Sequence, residues 1–255
     1  SPFLVPNFNP CKSTSLSITP LLTLPQHGPS RQACNALNGI ADASTLYIDA
    51  GVYALSVSCS LNRSITGNVS VTGELATTIT NTDTATLRYS SLSTQRTISN
   101  LILKTWNTIY AAVIVYAAPV RIYNVNFVSD NAVSTTIVTG NVLIENCNYT
   151  GSTGVNSMLL SVGLSSTVTV NDCNFRGISG AFARGILAEN STLTANRCTF
   201  DSIYANEGGR ILARASNLAV ANSTFTNMAL NTSVQIGAGI FFSQGTSKTL
   251  LVSGS

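Results

Sequence analysis

Five stretches of this chain carry one pattern. They are Val120-Arg-Ile-Tyr-Asn-Val-Asn-Phe127, Val142-Leu-Ile-Glu-Asn-Cys-Asn-Tyr149, Val168-Thr-Val-Asn-Asp-Cys-Asn-Phe175, Leu193-Thr-Ala-Asn-Arg-Cys-Thr-Phe200 and Leu218-Ala-Val-Ala-Asn-Ser-Thr-Phe225. Aligning Val125, Cys147, Cys173, Cys198 and Ser223 gives steps of 22, 26, 25 and 25 residues. A weaker copy, Thr97-Ile-Ser-Asn-Leu-Ile-Leu103, places Leu101 24 residues before Val125. A period of this length restricts the chain to arrays in which each unit buries its apolar surface against its neighbours.

Within each copy the apolar residues lie two apart, as in Val142 and Ile144. A polar step follows, then an apolar-x-aromatic unit such as Cys147-x-Tyr149. That is strand periodicity interrupted by a bend. A helical solenoid needs a longer 3.6-residue stripe built from good helix formers, whereas these segments offer Thr, Ser, Val, Asn and Gly. The Leu-x-x-Leu-x-Leu frame of a leucine-rich repeat is also absent. The pattern predicts an all-β fold, a parallel β-helix of about eight coils over residues 45–248, each of 22–26 residues with three short strands.

Equivalent positions of successive coils stack about 4.8 Å apart. Cys147, Cys173 and Cys198 are therefore expected in one inward column, with Val125 below and Ser223 above. Phe127, Tyr149, Phe175, Phe200 and Phe225 form an aromatic column beside it. The series Asn124, Asn146, Asp172, Arg197 and Asn222 falls at the bend, where short polar side chains bond to turn backbone. Asp172 with Arg197, and Glu189 with Arg214, are expected to pair between neighbouring coils. Exposed pairs of this kind trim register more than they drive folding.

Only 9% of the residues are charged, while 44% are hydrophobic. No apolar run reaches the roughly 18 residues of a membrane span. The surface must be covered by Ser, Thr and Asn, and N-linked glycans would supply the missing solubility. Acceptor sequons stand at Asn62, Asn68, Asn148, Asn190, Asn222 and Asn231. The chain opens at Ser1-Pro2-Phe3 without an initiator Met or a signal-like segment, the form expected of a processed mature protein or of a trimmed chain.

Cys147, Cys173 and Cys198 admit two readings, one bridge between neighbouring coils or three small buried thiols. Cys11, Cys34 and Cys59 lie in the non-repetitive first quarter, where Cys11 to Cys34 or Cys34 to Cys59 would staple the start of the array. No zinc or Cys-x-x-Cys spacing is present. Residues 1–29 hold Pro2, Pro6, Pro10, Pro20, Pro25 and Pro29 and read as an extended arm, because proline prevents regular pairing. Residues 30–255 read as a single β-helix domain. Ser30 is expected to cap a short helix over residues 31–38, ended by Gly39. At the far end, residues 249–255 start another strand with no capping helix. An arm at one end and an open strand at the other predict end-to-end self-association into a filament.

The repeat, together with the entry Leu46-Tyr-Ile-Asp-Ala-Gly-Val-Tyr53, resembles the right-handed parallel β-helices of the pectate-lyase-like superfamily. In detail it is most similar to the non-enzymatic repeat segments of surface adhesins and polymorphic membrane proteins. The resemblance spans residues 30–252 and implies the fold. It does not imply an activity, since the superfamily contains lyases, hydrolases, esterases and inert adhesins.

An enzyme of this kind would need paired acids or calcium-binding acids with a basic partner. The chain has ten acidic residues. Their nearest approach to a cluster is Glu145 with Asp172 and Arg197, where Arg197 reads as a salt-bridge partner. The sole histidine, His27, lies in the arm. No catalytic residue, metal site or cofactor is assigned. A polysaccharide-binding face would call for exposed aromatics, with Tyr110, Tyr116, Tyr123 and Tyr204 as candidates. Ice binding would call for a regular threonine face. Thr78-x-Thr80, Thr82-x-Thr84-x-Thr86 and Thr192-x-Thr194 do not recur at the coil period. A net charge of +3 with scattered basic residues excludes a nucleic-acid surface. The expected role is that of an extracellular, N-glycosylated structural rod in a fibre or surface coat.

Overall fold

The computed structural model describes residues 45–48, 50–55, 58–61, 63–68, 76–81, 87–105, 111–129, 134–153, 157–180, 183–205, 210–227, 239–243 and 248–254. They form an all-β solenoid, and its strand pairings are parallel. The arm at residues 1–29, the capping helix at residues 30–38, Cys11, Cys34, Asn62, Asn231, Tyr110, His27 and Thr82, Thr84 and Thr86 lie outside the described residues.

Each turn contributes to three faces. The first face stacks β1 (Thr45–Tyr47), β4 (Ser64–Thr66), the near halves of β7 (Arg96–Thr105) and β9 (Val120–Ser129), β11 (Asn141–Glu145), β14 (Thr167–Asn171), β17 (Thr192–Asn196), β20 (Asn217–Ala221) and β23 (Leu250–Ser253). The second stacks β2 (Gly51–Leu55), β5 (Thr77–Asn81), the far halves of β7 and β9, β12 (Asn148–Thr153), β15 (Asn174–Gly180), β18 (Thr199–Ala205) and β21 (Thr224–Thr226). Because β7 and β9 run through the corner, these two faces join into one 15-stranded sheet. The third face is a separate 8-stranded sheet of β3 (Cys59–Ser60), β6 (Leu87–Ser90), β8 (Val113–Tyr116), β10 (Ser134–Thr139), β13 (Met158–Val162), β16 (Arg184–Glu189), β19 (Ile211–Arg214) and β22 (Ile240–Ser243).

About six successive turns, entered at β7, β9, β11, β14, β17 and β20, follow one another in register. Outside them the period breaks. Thr45 pairs with Ser64, Ile65 with Ile98 and Leu218 with Leu250, a short step and two long ones beyond the 22–26 residues read from the sequence. Side-chain identity does not show these steps, because register follows backbone pairing and tolerates long excursions between strands.

Alternation along each strand sends one set of side chains inward. Val120, Val142, Val168, Leu193 and Leu218 line up in register on the first face, with Ile98, Ile122, Ile144, Val170, Ala195 and Val220 beside them, all buried. The aromatic column stands as expected. Ring centroids step by 4.4, 4.8, 5.0 and 5.0 Å from Phe127 through Tyr149, Phe175 and Phe200 to Phe225, with planes within 9°. Identical rotamers at a repeat of about 4.8 Å leave aromatic rings nearly parallel. Such a contact adds about 0.5–1.5 kcal/mol per pair beyond the area it buries. Leu103 sits in register below Phe127 and extends the column without a ring.

Candidate functional site

The corner between the first and second faces is the most regular surface feature. Asn100, Asn124, Asn146, Asp172, Arg197 and Asn222 hold φ of 54°, 52°, 51°, 55°, 52° and 50°. A left-handed residue is what turns the strand here, and Asn and Asp tolerate it best among residues with a Cβ. Side chains at this bend bond chiefly to one another between turns, where the sequence had pointed to turn backbone. Asn124 Nδ2 donates to Asn100 Oδ1 at 2.8 Å. Arg197 donates Nε and Nη2 to the two oxygens of Asp172, at 2.7 and 2.8 Å. The backbone N–H groups go to the next turn, as in Asn146 N to Asn171 O at 3.1 Å and Asp172 N to Asn196 O at 3.0 Å.

Just past the corner a second ladder runs outward. Asn174 Nδ2 donates to Asn148 Oδ1 at 2.8 Å, and Asn148 Nδ2 donates to Asn126 Oδ1 at 2.9 Å. Two further corners also use left-handed residues. One carries Gly151, Gly177, Ser202 and Asn227, the other Ser91, Ala117, Leu164, Asn190 and Ala215.

Behind the corner lies the thiol column. Cys147, Cys173 and Cys198 are buried free cysteines, so of the two readings the structure shows thiols and no bridge. Parallel Cβ atoms on adjacent turns stay near the strand repeat of about 4.8 Å, beyond the roughly 3.8 Å usual across a disulfide. Each thiol instead donates to the carbonyl two residues earlier, on Glu145, Asn171 and Asn196, at 3.2, 3.1 and 3.5 Å. Cys173 Sγ and Ser223 Oγ also accept from the N–H groups of Cys147 and Cys198. The hydrogen bond with Cys147 and burial hold the Cys173 thiol well above its ordinary range, and burial pushes Cys198 up to about 11. Cys59 is buried and is not among the free thiols.

The acidic groups among the described residues, Glu145, Asp172, Glu189 and Asp201, are spread apart and engaged. Glu145 pairs with Arg121 at 2.8 Å, a bridge the sequence reading missed, and Arg121 lies 5.0 Å over the Tyr123 ring. Glu189 pairs with Arg214 at 3.3 Å. Asp172 is held below its ordinary pKa by the Arg197 hydrogen bonds. Hydrogen bonds from Thr226 and Asn227 do the same for Asp201. The suggested grouping of Glu145 with Asp172 and Arg197 therefore divides into two ion pairs, one on the first face and one at the corner. Among the described residues no group of three or more His, Cys, Asp or Glu side chains is placed to hold a metal ion.

Tyr116 and Tyr204 are 58% and 38% exposed but stand on the third and second faces. Tyr123 lies on the first face beneath Arg121. No aromatic row forms from these three. One threonine array escaped the sequence reading: Thr167 and Thr169 are in register with Thr192 and Thr194. It spans two turns, because Asn141 and Leu143 stand on one side and Asn217 and Ala219 on the other.

The asparagines of four sequons are among the described residues. Asn68, Asn190 and Asn222 are exposed, and Asn148 is half-buried in its ladder. Among the described residues no helix is long and apolar enough to cross a membrane. Compared with known proteins, the chain matches no family model, no curated protein and no solved structure.

Proposed function

We propose that this chain is a non-catalytic, extracellular structural rod. The observation that carries the reading is the contrast between inside and outside. Continuous apolar columns and parallel pairing run the length of the solenoid, while Arg121, Asp172 and Glu189 each meet a partner on a neighbouring turn. An outer surface built that way serves the stack itself, and a stack with every turn paired to the next resists unfolding and proteolysis. Kinship with the adhesin-like β-helices of the pectate-lyase-like superfamily belongs to the same proposal.

N-linked glycans on the sequons at Asn62, Asn68, Asn148, Asn190, Asn222 and Asn231 keep the sides of the rod apart. A bridge from Cys59 to Cys11 or Cys34 fixes its first turn. Self-association is end to end. Leu250 and Val252 continue the buried columns of Leu218 and Val220, yet they are 45% and 48% exposed. That surface matches another rung of the same kind.

The test is electron microscopy and light scattering of the full chain from a secretory eukaryotic host, with intact mass before and after glycosidase. Filaments and a mass loss support the rod. A monomer at high concentration sinks the assembly, and an unchanged mass sinks the glycoprotein. Turnover of a polysaccharide by the purified chain would overturn the non-catalytic reading.

A further inference from the structure

The outer side of the third face differs from the other two. On the first face the outward positions are mostly polar, among them Thr167, Thr169, Asn171, Thr192 and Thr194. On the third, Ile114, Ile137, Ser161, Leu187, Leu212 and Phe241 stand in one register column. These residues alternate with the inward set. Val113 and Val115 flank Ile114, Ile186 and Ala188 flank Leu187, and Ile211 and Ala213 flank Leu212, all of them members of the core. The column is therefore outward and, apart from Ser161, apolar. Its burial is uneven. Leu187 and Leu212 are only 8% and 1% exposed although they face away from the interior, whereas Ile114, Ile137 and Phe241 are half-buried.

We infer that this stripe is the seat of the chain's own residues 1–29. Its shape selects a single extended segment. It is one residue wide over most of its length, because the next outward column holds Thr139, Glu189 and Arg214, and only Tyr116, opposite Thr139, adds apolar area there. Five steps of about 4.8 Å give it a length of about 24 Å. That is far too narrow for a stable interface between two globular faces, which needs roughly 800 Å² per partner.

Residues 1–29 have the matching chemistry. Their only Lys, Arg, Asp or Glu is Lys12, and Phe3, Phe8, Ile18, Leu21 and Leu22 supply apolar anchors. Their six prolines favour an extended conformation that lies on a surface without joining a sheet. At about 3.1 Å per residue they reach roughly 90 Å, several times the stripe. The entry point fits as well. In the described turns the third-face strand comes just before the first-face strand, as β8 precedes β9 and β16 precedes β17. A chain arriving at Thr45 to start β1 on the first face thus enters beside the third.

A photo-crosslinking residue, p-benzoylphenylalanine, replaces Ile137 in the full chain, with the same replacement of Thr169 on the first face as control. The expected result is a cross-link from position 137 into residues 1–29 of the same chain, and none from 169. Mixing isotope-labelled and unlabelled protein separates same-chain from between-chain products. A cross-link between copies, a cross-link to another segment, or none into residues 1–29 overturns the assignment. A second variant leaves the solenoid sequence untouched. Phe8→Asp with Leu22→Asp in the full chain should raise the fluorescence of a hydrophobic dye by roughly twofold or more as the stripe opens. Unchanged fluorescence overturns the assignment equally.

Discussion

Arg197 grips Asp172 across one turn of the solenoid through two parallel hydrogen bonds, 2.7 and 2.8 Å long, while both residues hold left-handed backbone. The pair stands where Asn124 and Asn100 form a neutral bond three turns earlier. One corner thus accepts an amide ladder or a salt bridge, provided that its residues tolerate the bend.

The Asp172 carboxyl is held below its ordinary value, so its contribution is present above the pKa of the unfolded chain and is lost as pH falls through the lower folded value. Melting temperature measured against pH should show wild type and Asp172→Asn separated at neutral pH and converging below about pH 4. Parallel curves down to pH 2 would show that the bridge contributes nothing.

The left-handed corner makes a second prediction at Asn146, whose φ is 51°. Asn146→Gly should be near neutral, whereas Asn146→Val should lose roughly 1–2 kcal/mol in denaturant unfolding, because a β-branched residue clashes with the adjacent carbonyl in that conformation. Equal losses for both would mean that the side chain matters more than the bend.

In the thiol column, Ser223 already performs the cysteine's task, donating to Ala221 O at 2.9 Å and accepting from Cys198 N at 3.1 Å. Cys173→Ser should therefore fall within about 1 kcal/mol of wild type. Cys173→Val leaves the Cys147 N–H without its acceptor and should cost about 1–3 kcal/mol.

Burial raises the Cys198 thiol from 9.0 to about 11, so its stabilising effect is complete below the unfolded value and declines as pH rises toward the folded one. Stability should fall between about pH 9 and 11, and Cys198→Ser should flatten that decline. A thiol reagent should leave all three ladder cysteines unmodified until the protein unfolds.

Phe175 lies between Tyr149 and Phe200 at 4.8 and 5.0 Å and is fully buried. Phe175→Ala should cost roughly 3–5 kcal/mol. Phe225, half-buried at the end of the described column, should cost less for the same truncation. Unfolding in denaturant measures both, and equal losses would deny that the column is a stack with a buried middle.

Much of this was legible in the repeat. Leu101 pairs with Val125 in the structure as the spacing required, and the aromatic and thiol columns stand where alternation put them. Arg121 with Glu145 was not legible. Both lie inside copies of the repeat, but at positions whose residue type changes from copy to copy, and only the register of β9 with β11 brings them within 2.8 Å. The outward stripe through Ile114, Ile137 and Leu187 escaped for a related reason. Its members are ordinary apolar residues inside apolar runs, and a run of that kind does not say which side of the strand faces in.

The sequence by itself determined that the chain is a parallel β-solenoid and which residues stack, because a period near 25 residues with two-residue alternation has few other ways to bury its apolar side. Only the tertiary structure decided where the register slips, which ion pairs close, and which face carries apolar residues outward. Those depend on backbone hydrogen bonds between turns, which side-chain identity does not encode.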